Sequence, residues 1–163
     1  MESSSSLPVR PASVRLLAFC LGFLSVSALF GGFVFVSDPT GGILGMPVSV
    51  LEFSPFQDFL IPGLILGIVF GLGSLLTLWG LWSCPTSSIA VTRFTGKHWS
   101  WSAALAIGVG QIIWIVTQVL MIRGVSVLHF IFGGLGVAIV LLTLEPNVRH
   151  WLSLKPRALK TSR

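Results

Sequence analysis

Charged residues are scarce in this chain: 9% of its 163 residues are Asp, Glu, Lys or Arg, and 53% are apolar. An average soluble domain carries about 25% charged residues, so this sequence lacks the polar residues needed to cover a water-facing surface. The same composition excludes a disordered chain, which needs low hydrophobicity and high charge. Cysteine is also scarce: Cys20 and Cys84 are the only two, which excludes a disulfide-rich secreted domain. These exclusions leave an integral membrane protein.

Ionisable residues are absent from the middle of every long apolar run. Transporters that couple substrate movement to protons or ions usually carry an ionisable side chain at membrane depth. The absence of such a residue therefore argues against coupled transport.

Four apolar runs are each long enough to cross the hydrocarbon core as a helix, which takes about 20 residues. They cover residues 14–36, 59–82, 101–122 and 125–144. Because lipid offers no hydrogen-bond partner to an exposed backbone, all four runs must be helical. The sequence thus predicts an all-α fold, a four-helix transmembrane bundle within residues 14–145. The remaining segments are a disordered polar N-terminus (1–13), an outer loop (37–58), an inner loop (83–100) and a basic cytoplasmic tail (146–163).

The basic residues predict how the bundle is oriented. Nine of the ten Lys and Arg residues flank one side of the predicted bundle: Arg10, Arg15, Arg93, Lys97, Arg149, Lys155, Arg157, Lys160 and Arg163. Only Arg123 lies on the other side. Positive residues are retained in the cytoplasm, so both termini are predicted to be cytoplasmic, in an N-in/C-in topology. We expect a plasma (inner) membrane location, with the lipid bilayer as a partner and no nucleic acid.

Residues that bind metals or catalyse reactions are not grouped in this topology. His98 and His150 fall on the predicted inner side and His129 on the outer side, so no cluster of metal ligands forms. No nucleophile and base stand out as a pair. We therefore predict no catalytic residue, no cofactor and no metal ion, which favours a protein that is not an enzyme.

The second apolar run repeats glycine every four residues, at Gly63, Gly67 and Gly71. Small residues at this spacing form a flat helix face, against which another backbone can pack closely. Two interpretations stay open. The face packs against another helix of the same bundle, or it mediates self-association or binding to a subunit of a membrane complex.

The third apolar run carries the strongly polar side chains at membrane depth. Gln111 and Gln118 are seven residues apart and share a helix face, with Trp114 beside them. A glutamine in hydrocarbon needs a hydrogen-bond partner. This face is therefore predicted either to join helices by hydrogen bonds or to form the polar lining of a cavity for a small molecule.

The outer loop is unusually apolar, and we expect it to lie on the outer leaflet or to fold over the mouth of the bundle. Five polar side chains are predicted on this side: Asp38, Glu52, Asp58, Arg123 and His129. In the simpler interpretation, Asp58 offsets the dipole at the start of the second helix, and Arg123 pairs with an outer carboxylate. In the other, the five residues form an outward site for a cation or polar headgroup, or a hydrolytic centre with His129 as the base.

Residues 38–47, 54–58 and 61–63, with the sequences DPTGGILGMP, SPFQD and IPG, form a recognisable pattern. This pattern resembles the outer loop of small four-span integral membrane proteins of bacteria to which no activity is assigned. The Ile-Trp-Ile run at 113–115 is similar to that group as well. The resemblance implies a bacterial inner-membrane location and a four-helix topology, and it implies no activity, cofactor or functional residue.

Two hypotheses of function remain open at this point. In the first, the chain is a non-enzymatic oligomeric or accessory membrane component that acts through its glycine-lined second helix. In the second, it binds or processes a small molecule or a lipid headgroup at an outward-facing site under the 37–58 loop.

The predicted topology is testable with fusion reporters. A reporter at the C-terminus is expected to be active only in the cytoplasm, and one inserted at Thr40 only outside it, because the positive residues stay on the cytoplasmic side. The opposite pattern would contradict the orientation.

Overall fold

The computed structural model describes residues 10–83 and 96–153. Most of these residues belong to helices α1 (Ala12–Ser37), α2 (Leu60–Ser83), α3 (Trp99–Ile122), α4 (Val127–Leu144) and α5 (Pro146–Trp151). No β-strand occurs in this part of the chain, which confirms the all-α fold. The first four helices are long and apolar enough to cross a membrane, as in a multi-pass membrane protein. Most of the predicted N-terminal segment, inner loop and tail, at 1–9, 84–95 and 154–163, falls outside the described residues.

The four long helices coincide closely with the four apolar runs, and local capping explains the different starts of α3 and α4. Helix α3 begins two residues early because His98 caps it, with Nδ1 accepting from the Ser100 N–H at 3.4 Å. Helix α4 begins only at Val127 because Ser126 and His129 form a capping box before it. At its other end, Glu145 has extended backbone and Pro146 starts a new helix, so α4 cannot continue.

Helices α1 and α2 approach each other at backbone contact. A Cβ atom at Gly32 of α1 would lie 2.7 Å from the Cα of Gly67 and 2.8 Å from the carbonyl oxygen of Gly63. Further along the same contact, the hydroxyl of Ser25 donates to the carbonyl of Gly71 at 2.9 Å. The predicted glycine face of α2 therefore packs against α1 within the chain.

A π-helical segment, Leu66–Leu72, interrupts α2 where it carries this face. In an ideal α-helix, four residues advance about 40° beyond a full turn, so glycines spaced by four wind slowly around the axis. A π turn is wider, because its hydrogen bonds run from residue i to i+5. The segment therefore offsets the winding and keeps the glycine face directed at α1.

The buried core is concentrated at one end of the bundle. We call this the basic end, since Arg10, Arg15, Lys97 and Arg149 lie there, and we call the opposite end, with residues 38–59 and 123–126, the loop end. The core residues are Val14, Leu17, Cys20, Leu21, Leu24, Leu81, Ala104, Ile107, Ile139, Val148 and Leu152. Most of them lie in the basic half, so the two halves of the bundle are packed unequally.

The start of the predicted tail, residues 146–153, completes this core. Val148 and Leu152 are 0% and 2% exposed. The N–H of His98 donates to the carbonyl of Leu152 at 2.8 Å, and an isolated antiparallel bridge joins Lys97 to Ser153. The composition of this segment shows that it is basic. It does not show which of its side chains are buried, because that depends on how α5 folds back onto the bundle.

Glycine substitutions test the α1–α2 contact. Gly32→Ala is expected to lower the free energy of unfolding by about 1–3 kcal/mol, because the new Cβ meets backbone that cannot move away easily. Gly134→Ala is the matched control, since nothing lies within 4 Å of a Cβ at that helical position. It is expected to be neutral or to stabilise by up to about 1 kcal/mol through helix propensity. Unfolding midpoints in detergent micelles would measure both, and equal effects would contradict the contact.

Candidate functional site

The loop between α1 and α2 folds back over the loop end of the bundle. It contains two short 3₁₀ turns, Gly42–Leu44 and Val48–Leu51. The N–H of Phe59 donates to the carbonyl of Pro39 at 2.9 Å, which joins the two ends of the loop. The rings of Phe35 and Phe59 stack with their centroids 4.8 Å apart, and Leu51 is buried. Of the two predicted placements, the structure therefore shows the loop covering the bundle.

Asp38 organises the start of this loop. Its carboxylate accepts from the hydroxyl of Thr40, and its Oδ2 accepts from the N–H of Ile43 at 2.8 Å. These bonds favour the ionised form, so the Thr40 hydroxyl, followed by the Ile43 N–H, lowers the pKa of Asp38 below its ordinary 3.8. The carboxylate holds the loop backbone in its turn.

Asp58 and His129 each cap a helix. Asp58 Oδ1 accepts from the N–H of Leu60 at 2.9 Å, at the start of α2. His129 Nδ1 accepts from the N–H of Ser126 at 2.9 Å, at the start of α4. Both side chains satisfy backbone donors that a helix leaves without an intrahelical partner.

Arg123 contacts an aromatic ring, and the predicted pairing with a carboxylate is wrong for the described residues. Its Cζ lies 3.7 Å from the ring centroid of Phe53, in a cation–π contact. Arg123 also ends α3 in a left-handed conformation, with φ of 52°. Glu52, beside Phe53, is exposed. No hydrogen bond or ion pair recorded within residues 10–83 and 96–153 joins any two of the five predicted outer residues.

A cavity of about 50 Å³ lies beneath the loop. Its walls come from the loop, the loop-end turns of α1 and α2, and the last turns of α3. The lining residues are Phe35, Met46, Leu51, Phe56, Phe59, Pro62, Leu66, Trp114, Thr117, Gln118, Met121 and Ile122. All of them lie at or near the loop end, while the core fills the basic half, so the cavity is blind rather than a pore.

The predicted polar face of α3 is divided between this cavity and the α3–α4 interface. Trp114 and Gln118 line the cavity, and Trp114 packs on Phe70 with ring centroids 6.0 Å apart. Gln111 lies deeper and is 2% exposed, and its Cγ would be 3.2 Å from a Cβ at Gly136 of α4. Its Oε1 has no hydrogen-bond partner among the described residues. Gln111 is therefore not part of the cavity.

The chemistry of the cavity is that of a small apolar site with a few polar groups. Among the lining residues, Thr117 carries a hydroxyl, Gln118 an amide and Trp114 an indole N–H, and the other side chains are hydrocarbon, phenyl rings and two thioethers. A water molecule needs about 10–15 Å³ of such volume and several polar partners, so an apolar group suits this space better than water. Among the described residues, no three His, Cys, Asp or Glu side chains are close enough to hold a metal ion.

The sequence predicted a site beneath the loop but did not indicate that methionine side chains line it. Met46 and Met121 both line it, and they are the only methionines after Met1. Methionine adapts its shape to irregular apolar ligands. The unusually apolar sequence of the loop was the one signal that its side chains, Met46 among them, face the bundle.

No protein-family model matches the chain, and comparisons with the curated proteins and with the solved structures also found no match.

The loop is expected to lose order in acid. Because the pKa of Asp38 is lowered by folding, its stabilisation is present above the ordinary pKa of 3.8 and is lost as pH falls through the lowered value. The hydrogen-exchange protection factor of the Ile43 amide should therefore fall between about pH 6 and about pH 2. In the Asp38→Asn variant, the Ile43 amide is expected to have low hydrogen-exchange protection at both pH values. In the control variant Asp58→Asn, the Ile43 amide should keep the protection seen in the wild type. Constant protection in the wild type would contradict the role of Asp38.

Proposed function

We propose that this chain is a non-enzymatic, multi-pass membrane protein that binds the apolar end of an amphipathic molecule, such as a fatty acid, in the cavity beneath its loop. The observation that carries the proposal is the cavity itself, a preformed and mostly apolar space with a few polar residues among those that line it. Ligand sites are commonly concave, mostly apolar and equipped with a few placed polar groups.

The proposed topology is N-in/C-in, in the plasma (inner) membrane of a bacterium. Nine of the ten basic residues fall at one end of the bundle in the sequence, which supports a cytoplasmic basic end. The loop resemblance supports the bacterial location. In this orientation the cavity is reached from the outer leaflet, where an amphipathic molecule keeps its polar head in water and inserts its chain.

Binding is favoured over catalysis because the outer polar residues are already engaged. The carboxylates of Asp38 and Asp58 and the imidazole of His129 each accept a backbone N–H. A catalytic base must be free to accept a proton from a substrate. These contacts support a structural role for the polar residues and a binding role for the cavity.

An accessory or oligomeric role stays a prediction. It was based on the glycine face of α2, and that face contacts α1 within the chain, with Gly67 Cα 2.7 Å from a Cβ at Gly32. Association with a second copy or another subunit would therefore use a different surface.

Fluorescence of Trp114 tests the cavity. The other five tryptophans, at the basic end, are Trp79, Trp82, Trp99, Trp101 and Trp151. The fluorescence of Trp114 is obtained by subtracting the emission of the Trp114→Phe variant from that of the wild type. A dibrominated stearic acid is expected to quench this fluorescence until the cavity is saturated. Met121→Phe fills the cavity and is expected to raise the half-quenching concentration by about tenfold, the order seen when a side chain competes for a pocket.

Leu120→Phe is the matched control, because Leu120 is the neighbouring residue and is 70% exposed. It should leave quenching unchanged. Equal quenching in the wild type and Met121→Phe, with both variants folded by circular dichroism, would contradict binding in the cavity.

A further inference from the structure

A second, shallow cavity of about 20 Å³ lies at the basic end, between the start of α1 and the end of α2. It is lined by Arg10, Val14, Arg15, Ala18, Leu81 and Trp82. Two arginine residues therefore line one small depression whose surface is mostly apolar. This site is separate from the cavity at the loop end and does not depend on the proposed function.

Arg10 is held at the rim of this depression by Trp82. Its Nη2 donates to the carbonyl of Trp82 at 3.2 Å, and its Cζ lies 5.0 Å from the centroid of the Trp82 ring. One nitrogen is thus used by the end of α2, and the rest of the planar group is available to a ligand. A guanidinium held in place loses less freedom when it binds an oxyanion.

Arg15 lies in the first turn of α1, five residues after Arg10, and is exposed. The structure records no ion pair between a described carboxylate and either Arg10 or Arg15. The described acidic residue at this end, Glu145, accepts from the amide of Asn147 at 2.8 Å. The two arginines therefore create a local positive charge that no described carboxylate neutralises.

The surface beside the arginines is suited to hydrocarbon. Val14, Ala18 and Leu81 form a buried floor. Phe19 and Trp82 are among the exposed large apolar side chains of α1 and α2 and would face lipid acyl chains. The depression is too small to enclose a headgroup, so a phosphate would lie at its rim and a chain along its apolar side.

We propose that Arg10 and Arg15 bind the phosphate of an anionic phospholipid whose acyl chain follows the groove between α1 and α2. Arginine pairs with phosphate through parallel, charge-assisted hydrogen bonds. The juxtaposition of Arg10 and Arg15 with the Trp82 ring and a mostly apolar surface matches the two parts of such a lipid. A zwitterionic lipid carries the same phosphate but adds a cation that the arginines repel.

Native mass spectrometry of the full chain released from nanodiscs tests the site. The nanodiscs contain equal amounts of phosphatidylglycerol and phosphatidylcholine with identical acyl chains. The wild type is expected to retain phosphatidylglycerol preferentially, and Arg15→Gln to reduce that preference about fivefold, the effect of losing one arginine near an anionic headgroup. Arg149→Gln removes the same charge from another exposed helical position at the same end and should keep the preference.

Three results would overturn the proposal. Equal loss in Arg15→Gln and Arg149→Gln would mean that retention follows overall charge rather than this site. No preference for phosphatidylglycerol in the wild type would mean that no anionic lipid is selected. Displacement of the lipid by millimolar inorganic phosphate would mean that the site takes a free phosphate and that the apolar groove contributes nothing.

Discussion

The close approach of α1 and α2 is the contact on which the rest of the structure depends. Gly32 and Gly67 lack side chains where the two backbones meet, so the helices run side by side up to the stacked rings of Phe35 and Phe59. The ends joined by loop 38–59 are therefore close together. About twenty residues are far more than this gap requires, because an extended chain spans about 3.3 Å or more per residue. The surplus length folds back over α3, and that fold creates the cavity.

The two ends of the bundle have different packing. At the basic end, the side chains of four long helices and the returning α5 fill the interior. At the loop end, the helices leave a gap between them. The loop covers this gap but does not fill it, and the space that remains is the cavity. A membrane bundle gains little from hydrophobic burial, since lipid is as apolar as leucine, so close packing stabilises it. The stability of this fold therefore lies mainly in its basic half, which leaves the loop half free to carry a binding site.

The sequence was sufficient for the features that lipid imposes on any chain. Helix number and helix positions follow from run length, and capping moved their ends by only a few residues. The sequence indicated the glycine face of α2 but not the helix that packs against it. The spacing of residues within one helix does not identify the opposing backbone. The π segment Leu66–Leu72 was not foreseen. The sequence suggested a site beneath the loop and a polar lining that includes Gln118, but it did not indicate the full set of walls. Met46, Leu66 and Gln118 come from three separate segments, and only the loop's fold brings them together.

Arg123 couples the loop energetically to the end of α3. A left-handed backbone costs a residue with a side chain about 1–2 kcal/mol, and glycine would avoid that cost. An exposed cation–π contact such as the one with Phe53 returns about 0.5–1 kcal/mol, so it offsets part of the strain. The turn and the loop are thereby thermodynamically linked. Lifting Phe53 away leaves the strain uncompensated, so opening of the loop and unwinding of the last turn of α3 would be one cooperative movement, with Arg123 as its hinge.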